Sequence, residues 1–179
     1  MRLAYLIKQK SYEKIEHVLR RHPITFIPYV FLFLLIISLP VGVYFMVSAI
    51  FPIFLDREGT YVLAILLASA YYLVSYVLFY TQFVEYYLDM WIVTNDRIVD
   101  IEQLGLFARS VSELDLFRIQ DVTTDVHGFF STIFHYGDVT VKTASSNVGI
   151  VFRNVPNPNK VREDLIRLSH EDRKYHFGG

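Results

Sequence analysis

Two long uncharged runs constrain this chain more than any other feature. Residues 23–55 and 60–84 hold no Asp, Glu, Lys or Arg. A helix needs about 20 residues to cross a ~30 Å hydrocarbon core, and a charge at mid-helix costs about 2.5–3.5 kcal/mol. The runs therefore read as two transmembrane helices, about 24–48 and 60–84, within a membrane region 23–85. Asp56-Arg57-Glu58-Gly59 forms the charged turn between them, and Pro40 with Gly42 predicts a kink in the first. Val47-Ser48-Ala49 resembles a signal-peptide cleavage site, but the apolar run is too long for a signal and continues past Ala49.

Residues 1–22 form a basic segment, with Arg2, Lys8, Lys10, Lys14, Arg20 and Arg21 against Glu13 and Glu16. Ile15, Val18 and Leu19 are spaced as one face of a helix, and Leu3, Leu6 and Ile7 extend the stripe less regularly. Such a helix either lies on an anionic membrane surface or serves only to set topology. The basic cluster outweighs Arg57 alone, so the positive-inside rule puts both termini and the soluble part in the cytoplasm of a multi-pass cell-membrane protein. In the second run Ala64, Ala68, Tyr72, Tyr76 and Tyr80 recur every fourth residue. They make a helix–helix contact face, within the hairpin or between copies.

Period-two alternation begins at Leu88. Asn95-Asp96 reads as a two-residue hairpin turn that sets Ile92 opposite Val99. Met90, Ile92, Val99 and Ile101 then share one face, expected to be the core. Trp91, Val93 and Ile98 share the other, expected to form an outer apolar patch. Further strands are expected over 106–116, 119–126, 138–143 and 148–155, the last two joined by Ala144-Ser145-Ser146-Asn147. A closing helix starts at Asn157-Pro158 and buries Val161, Leu165 and Leu168. Residues 86–170 thus form one β-rich domain, and 171–179 a polar tail.

The chain has no cysteine, which removes disulfides, thiolate catalysis and cysteine-held metals. A net charge of −1 points away from nucleic acid. No Walker loop, GxSxG elbow, GxGxxG or HExxH is present. Of His17, His22, His127, His135, His170 and His176, only His127 and His135 flank a common loop, and a zinc site there needs Asp125 and Asp138 as well. No catalytic residue, cofactor or metal is expected. The uncharged spans offer no proton relay.

Several segments together resemble the bacterial pleckstrin-homology-like domains of YdbS-like membrane proteins. They are Arg20-Arg21-His22, 91–100 (Trp-Ile-Val-Thr-Asn-Asp-Arg-Ile-Val-Asp), 103–109 (Gln-Leu-Gly-Leu-Phe-Ala-Arg), 113–122 (Glu-Leu-Asp-Leu-Phe-Arg-Ile-Gln-Asp-Val) and 134–139 (Phe-His-Tyr-Gly-Asp-Val). The resemblance runs from about Glu13 to about Ser169. It implies an α+β protein: a two-helix transmembrane hairpin, then a pleckstrin-homology-like open β-barrel of seven strands capped by a carboxy-terminal helix. Six strands are evident in the sequence, so the seventh comes either from splitting 106–116 or from a short piece elsewhere.

The fold name alone does not give phosphoinositide binding. The first hairpin turn holds one base and one acid, and from Tyr86 onward acids outnumber bases. Arg97, Arg109 and Arg118 either touch anionic lipid loosely or pair with Asp115 and Asp121. The candidate contact surface is aromatic. The stretch 128–137, with Phe129, Phe130 and Phe134, is too apolar for an ordinary exposed loop. It either plugs the barrel or contacts a bilayer or partner. With Trp91, Val93, Ile98, Arg97 and Arg118 it makes up the expected interaction surface. The expected function is a non-enzymatic, membrane-anchored binding or scaffold protein at the cytoplasmic face, in envelope maintenance or as a membrane-complex subunit. Its partners are membrane lipid and a protein or a second copy, not nucleic acid. The alternative is an oligomeric transport or pore component built from the hairpin.

Overall fold

The computed structural model describes residues 9–51, 58–143 and 146–177. The expected stripe of Leu3, Leu6 and Ile7, Asp56-Arg57 of the charged turn, and Ala144-Ser145 of the last strand connection lie outside those residues. The chain divides into two compact units, Phe26–Val84 and the combination of Met1–Thr25 with Glu85–Gly179.

The Phe26–Val84 unit is helical. After a 3-10 turn at Pro23–Phe26, α1 spans Ile27–Ile50 and contains Pro40. The second helix, α2, spans Glu58–Leu88. Both are long and apolar enough to cross a membrane. Aromatic contacts and a polar bond join them. Phe33 stacks on Phe79 with centroids 4.1 Å apart, Phe26 meets Phe83 at 5.8 Å, and the Tyr71 hydroxyl donates to the Ile36 carbonyl at 2.9 Å.

The other unit is β-rich. Its first strand, β1, is Ile15–Leu19, inside the stretch expected to be an amphipathic helix. A short apolar pattern does not separate the two periods, and pairing with a neighbour decides. That neighbour is β2, Met90–Thr94, with Val18 opposite Ile92 and Leu19 opposite Trp91. The chain thus leaves the sheet after β1, runs through both apolar helices, and returns into the adjacent strand. This is the strand the resemblance requires and the β-rich sequence after residue 86 lacks.

Strands β3 (Arg97–Leu104) and β4 (Ala108–Asp115) complete a sheet of order β1-β2-β3-β4. Strands β5 (Ile119–Asp125), β6 (Tyr136–Thr143) and β7 (Ser146–Pro156) form a second antiparallel sheet. The seven strands make two separate sheets, not a closed barrel. A short helix, α3, Phe129–Phe134, links β5 to β6. The last helix, α4, runs Pro158–Phe177 and buries Val161, Leu165 and Leu168. It continues through most of the expected tail because Asp172 and Arg173 are used. Asp172 accepts from the Phe117 amide at 3.0 Å, and Arg173 donates to the carbonyls of Phe117 and Ile119.

The Asn95-Asp96 hairpin has the expected pairing, with Ile92 opposite Val99 and Val93 opposite Ile98. The face expected to be core is buried, but the face expected to be an outer patch is buried too, and in the larger core. Trp91, Val93 and Ile98 lie in the main core with Phe152, Val139, Val141 and Leu165, and Trp91 meets Phe152 edge-on at 5.6 Å. Met90, Ile92, Val99 and Ile101 form a second, smaller buried cluster against Ile15. Alternation tells which side chains share a face, not which face looks inward, and this hairpin is buried on both.

An ion network crosses the smaller face. Glu13, 3% exposed, accepts from Arg97 Nε at 3.0 Å, Arg97 Nη2 at 3.1 Å and the Thr94 hydroxyl at 2.9 Å. Arg97 also reaches Glu113, whose carboxylate is half exposed, at 2.6 Å. Removing one partner of a buried pair costs about 3–5 kcal/mol, whereas an exposed partner contributes at most about 1 kcal/mol. Glu13→Ala should therefore lower unfolding stability by several kcal/mol and Glu113→Ala by less than about 1 kcal/mol. Denaturant titration in detergent micelles checks both.

Candidate functional site

Three features of the β-rich unit bear on function. The first lies where the chain leaves and re-enters it. Arg21, two residues past β1, pairs with Asp89, one residue before β2, at 2.6 Å. The Asp89 carboxylate is almost fully buried and also accepts from the Gln103 amide at 2.7 Å. The Arg20 guanidinium lies over the Tyr87 ring at 5.4 Å, and the Glu85 carboxylate accepts from the Gly105 amide at 2.9 Å. Three residues past β1 the His22 ring stacks on Tyr136 at 5.4 Å, and its amide donates to the Asn154 carbonyl at 2.7 Å. Both chain crossings are thus clamped to the sheets. Beside the clamp is a 170 Å³ cavity lined by Arg21, Asp89, Trp91, Asp100, Glu102 and Arg153. Burial, reinforced by Glu102 and Asp89, pushes the Asp100 carboxyl up to about 6, and burial also raises Asp89.

The second feature is α3. Gly128 before it (φ 101°) and His135 after it (φ 53°) both have left-handed backbone, so the helix is stopped sharply at each end. Ser131 is its buried residue and donates to the His127 carbonyl at 2.7 Å. Phe129 and Phe130 are 74% and 64% exposed, and Ile133 and Phe134 are exposed as well. The segment does not plug the space between the sheets. Tyr136, which follows it directly, carries the His22 stack, so α3 adjoins the point where the chain leaves β1 for the first apolar helix.

The third feature is a 600 Å³ groove at the far end of β2, lined by Tyr12, Asn95, Asp96, Glu171, Asp172 and Tyr175. Lys10 lies 2.6 Å from Asp96, and that hydrogen bond holds its ammonium above the ordinary lysine range.

The structure places the residues expected at an interaction surface in three different settings. Phe129, Phe130 and Phe134 are exposed together. Trp91, Val93 and Ile98 are core residues, and Arg97 is buried between Glu13 and Glu113, so none of these four offers a surface. Arg118 pairs with Asp115 at 3.0 Å and lies over the Phe117 ring. In the helical unit the contacts use Tyr71, Ser75 and Phe79, one position from the expected face. Ala68 and Tyr72 are partly buried there, whereas Ala64 and Tyr76 are exposed. The clamp was not expected from sequence, because Arg21 and Asp89 are far apart in the chain. A fully exposed Phe107 in the β3–β4 turn was also missed. The run Leu104-Gly105-Leu106-Phe107, apolar around a turn glycine, was its available signal. Among the described residues no group of three or more His, Asp or Glu is placed to hold a metal.

The family described as the bacterial PH domain matches residues 23–169. The chain belongs to that family. The matched span takes in both apolar helices and begins after β1. Two solved structures are similar. One is a DUF1696 family protein with a pleckstrin-homology domain from Shewanella loihica PV-4, at 15% identity and TM-score 0.38, over 45% of this chain and 70% of that one. The other is a pleckstrin homology domain from Shewanella amazonensis SB2B, at 14% identity and TM-score 0.36, over 46% of this chain and 75% of that one. No curated protein matches.

The raised Asp100 carboxyl has a pH signature. The native chain keeps a proton there that the unfolded chain releases from about pH 4 upward, so this group's contribution to stability falls as pH rises through about 6. Asp100→Asn should raise the thermal midpoint relative to the parent above pH 6. The gain should vanish below about pH 4. Melts across that range, followed by circular dichroism in detergent, check it.

Proposed function

We propose that this protein is a membrane-anchored, non-enzymatic binding or scaffold module. The apolar helices span a cell membrane, and the β-rich unit works at its cytoplasmic face, in envelope maintenance or as a subunit of a membrane complex. The observation that carries this reading is the insertion of both apolar helices between paired strands β1 and β2. Helices inserted between two paired strands keep the domain at the membrane, and Arg21–Asp89 at 2.6 Å joins the two strand ends to each other. The domain can then act only on what comes to the membrane surface. The basic excess before the first helix supports the cytoplasmic side. The exposed Phe129 and Phe130 of α3 are the surface for a protein partner, since aromatic anchors dominate such contacts.

Photo-crosslinking from position 133, the exposed Ile133 on the same helix, in intact membranes tests the partner. The expected outcome is one reproducible protein adduct that disappears in Phe129→Ala/Phe130→Ala, with the thermal midpoint of the variant unchanged. A homogeneous self-multimer that conducts ions in liposomes would overturn the reading in favour of a pore. Topology is checked separately. Lys174→Cys, the sole thiol in its variant, should resist membrane-impermeant maleimide in intact cells and react after lysis.

A further inference from the structure

The direction in which the β3–β4 turn runs along the end of α2 can be read within the β-rich unit alone. Two hydrogen bonds tie the end of β3 to the last turn of α2. The Gln103 amide donates to Asp89 at 2.7 Å, and the Gly105 amide donates to Glu85 at 2.9 Å. Asp89 and Glu85 are themselves one helical turn apart, with the Asp89 amide donating to the Glu85 carbonyl at 3.1 Å. Going from Gln103 to Gly105 is therefore going from Asp89 back to Glu85, about 6 Å along the helix axis toward Val84. Val84 ends the uncharged run 60–84. The strand heads down the helix toward its apolar part. Gly105, at φ 70°, then turns the chain, and Leu106 and Phe107 form the extreme of that turn before β4 returns at Ala108.

The side chains at this extreme are the wrong ones for water. Phe107 is 99% exposed and Leu104 is 54% exposed. An isolated exposed leucine needs no explanation. A fully exposed phenylalanine beside it, on a turn pinned by a carboxylate next to a span, does. The headgroup region adds only about 5–8 Å on each side of the hydrocarbon core. A turn held level with Glu85 falls within that layer, where an aromatic ring beside apolar neighbours is favoured.

We propose that Leu104, Leu106 and Phe107 form a wedge that enters the headgroup–acyl boundary of the same membrane. The occupant of this surface is lipid, and the wedge is a second foothold beside the two spans. The proposal rests on the membrane-anchored reading and deepens it.

Tryptophan scanning in full-length protein tests the wedge. Phe107→Trp, Leu66→Trp and Tyr175→Trp are reconstituted in phosphatidylcholine–phosphatidylglycerol vesicles, with the buried Trp91 of the parent subtracted as background. Quenching is compared between lipids brominated near the headgroup, lipids brominated near the chain end, and iodide on both sides of the membrane. Trp at 107 should be quenched severalfold more by shallow bromine than by iodide. Trp at 175, on the exposed end of α4, should respond to iodide, and Trp at 66, within α2, to deep bromine. If position 107 follows iodide as 175 does while 66 still follows deep bromine, the wedge is wrong and the anchor stands. If 66 ignores brominated lipid, the anchored reading falls and the wedge with it. Leu104→Trp gives the same comparison should Phe107→Trp not fold.

Discussion

Everything in this fold depends on the pairing of β1 with β2 across an inserted pair of helices. Closing a loop of that length costs about 4 kcal/mol in chain entropy if the loop is flexible. Here most of its described residues are helical. The helical unit brings its own ends together, with Phe26 against Phe83 at 5.8 Å and Phe33 against Phe79 at 4.1 Å. The β-rich unit closes the same loop from its side through Leu19 opposite Trp91 and Arg21 on Asp89.

The same constraint explains the distribution of polar groups. Burying a charge is tolerable only when it is paired and hydrogen-bonded. The buried acids at the two ends of β2 meet that condition in different ways. Glu13 is wrapped by Arg97, Thr94 and the Lys10 amide, and although burial opposes ionisation, these partners hold its carboxyl below the ordinary range. Asp89 has Arg21 and the Gln103 amide, yet burial keeps it above. The first network locks β1 to β2 and β3. The second locks the crossing points, and by fixing the end of β3 it also aims the β3–β4 turn. A structural clamp thereby sets the position of a surface feature several residues away.

Much of the architecture was legible in the sequence because it rests on local patterns. The uncharged runs, the Asn95-Asp96 turn with Ile92 opposite Val99, and the stripe Val161, Leu165, Leu168 each follow from spacing alone. The candidate surface was legible in part. The aromatic segment was evident from Phe129 and Phe130, but its exposure was not, since an apolar loop serves equally well as plug or contact. Phe107 went unnoticed because the apolar run around Gly105 suits a buried strand as well as an exposed turn, and only the folded neighbours leave the ring uncovered.

Spacing along the chain suffices for the two apolar runs, the strands after Leu88, the Ile92–Val99 pairing and the start of the closing helix, since each depends on residues close together. What only the tertiary structure decided was which face of a strand looks inward and which distant strand completes the sheet. Trp91, Val93 and Ile98 became core because a second sheet and α4 cover them, and alternation cannot name the covering layer. Ile15–Leu19 became a strand because β2 offered it an unpaired edge. Backbone hydrogen bonds to a partner some seventy residues away outweigh a weak local helical pattern.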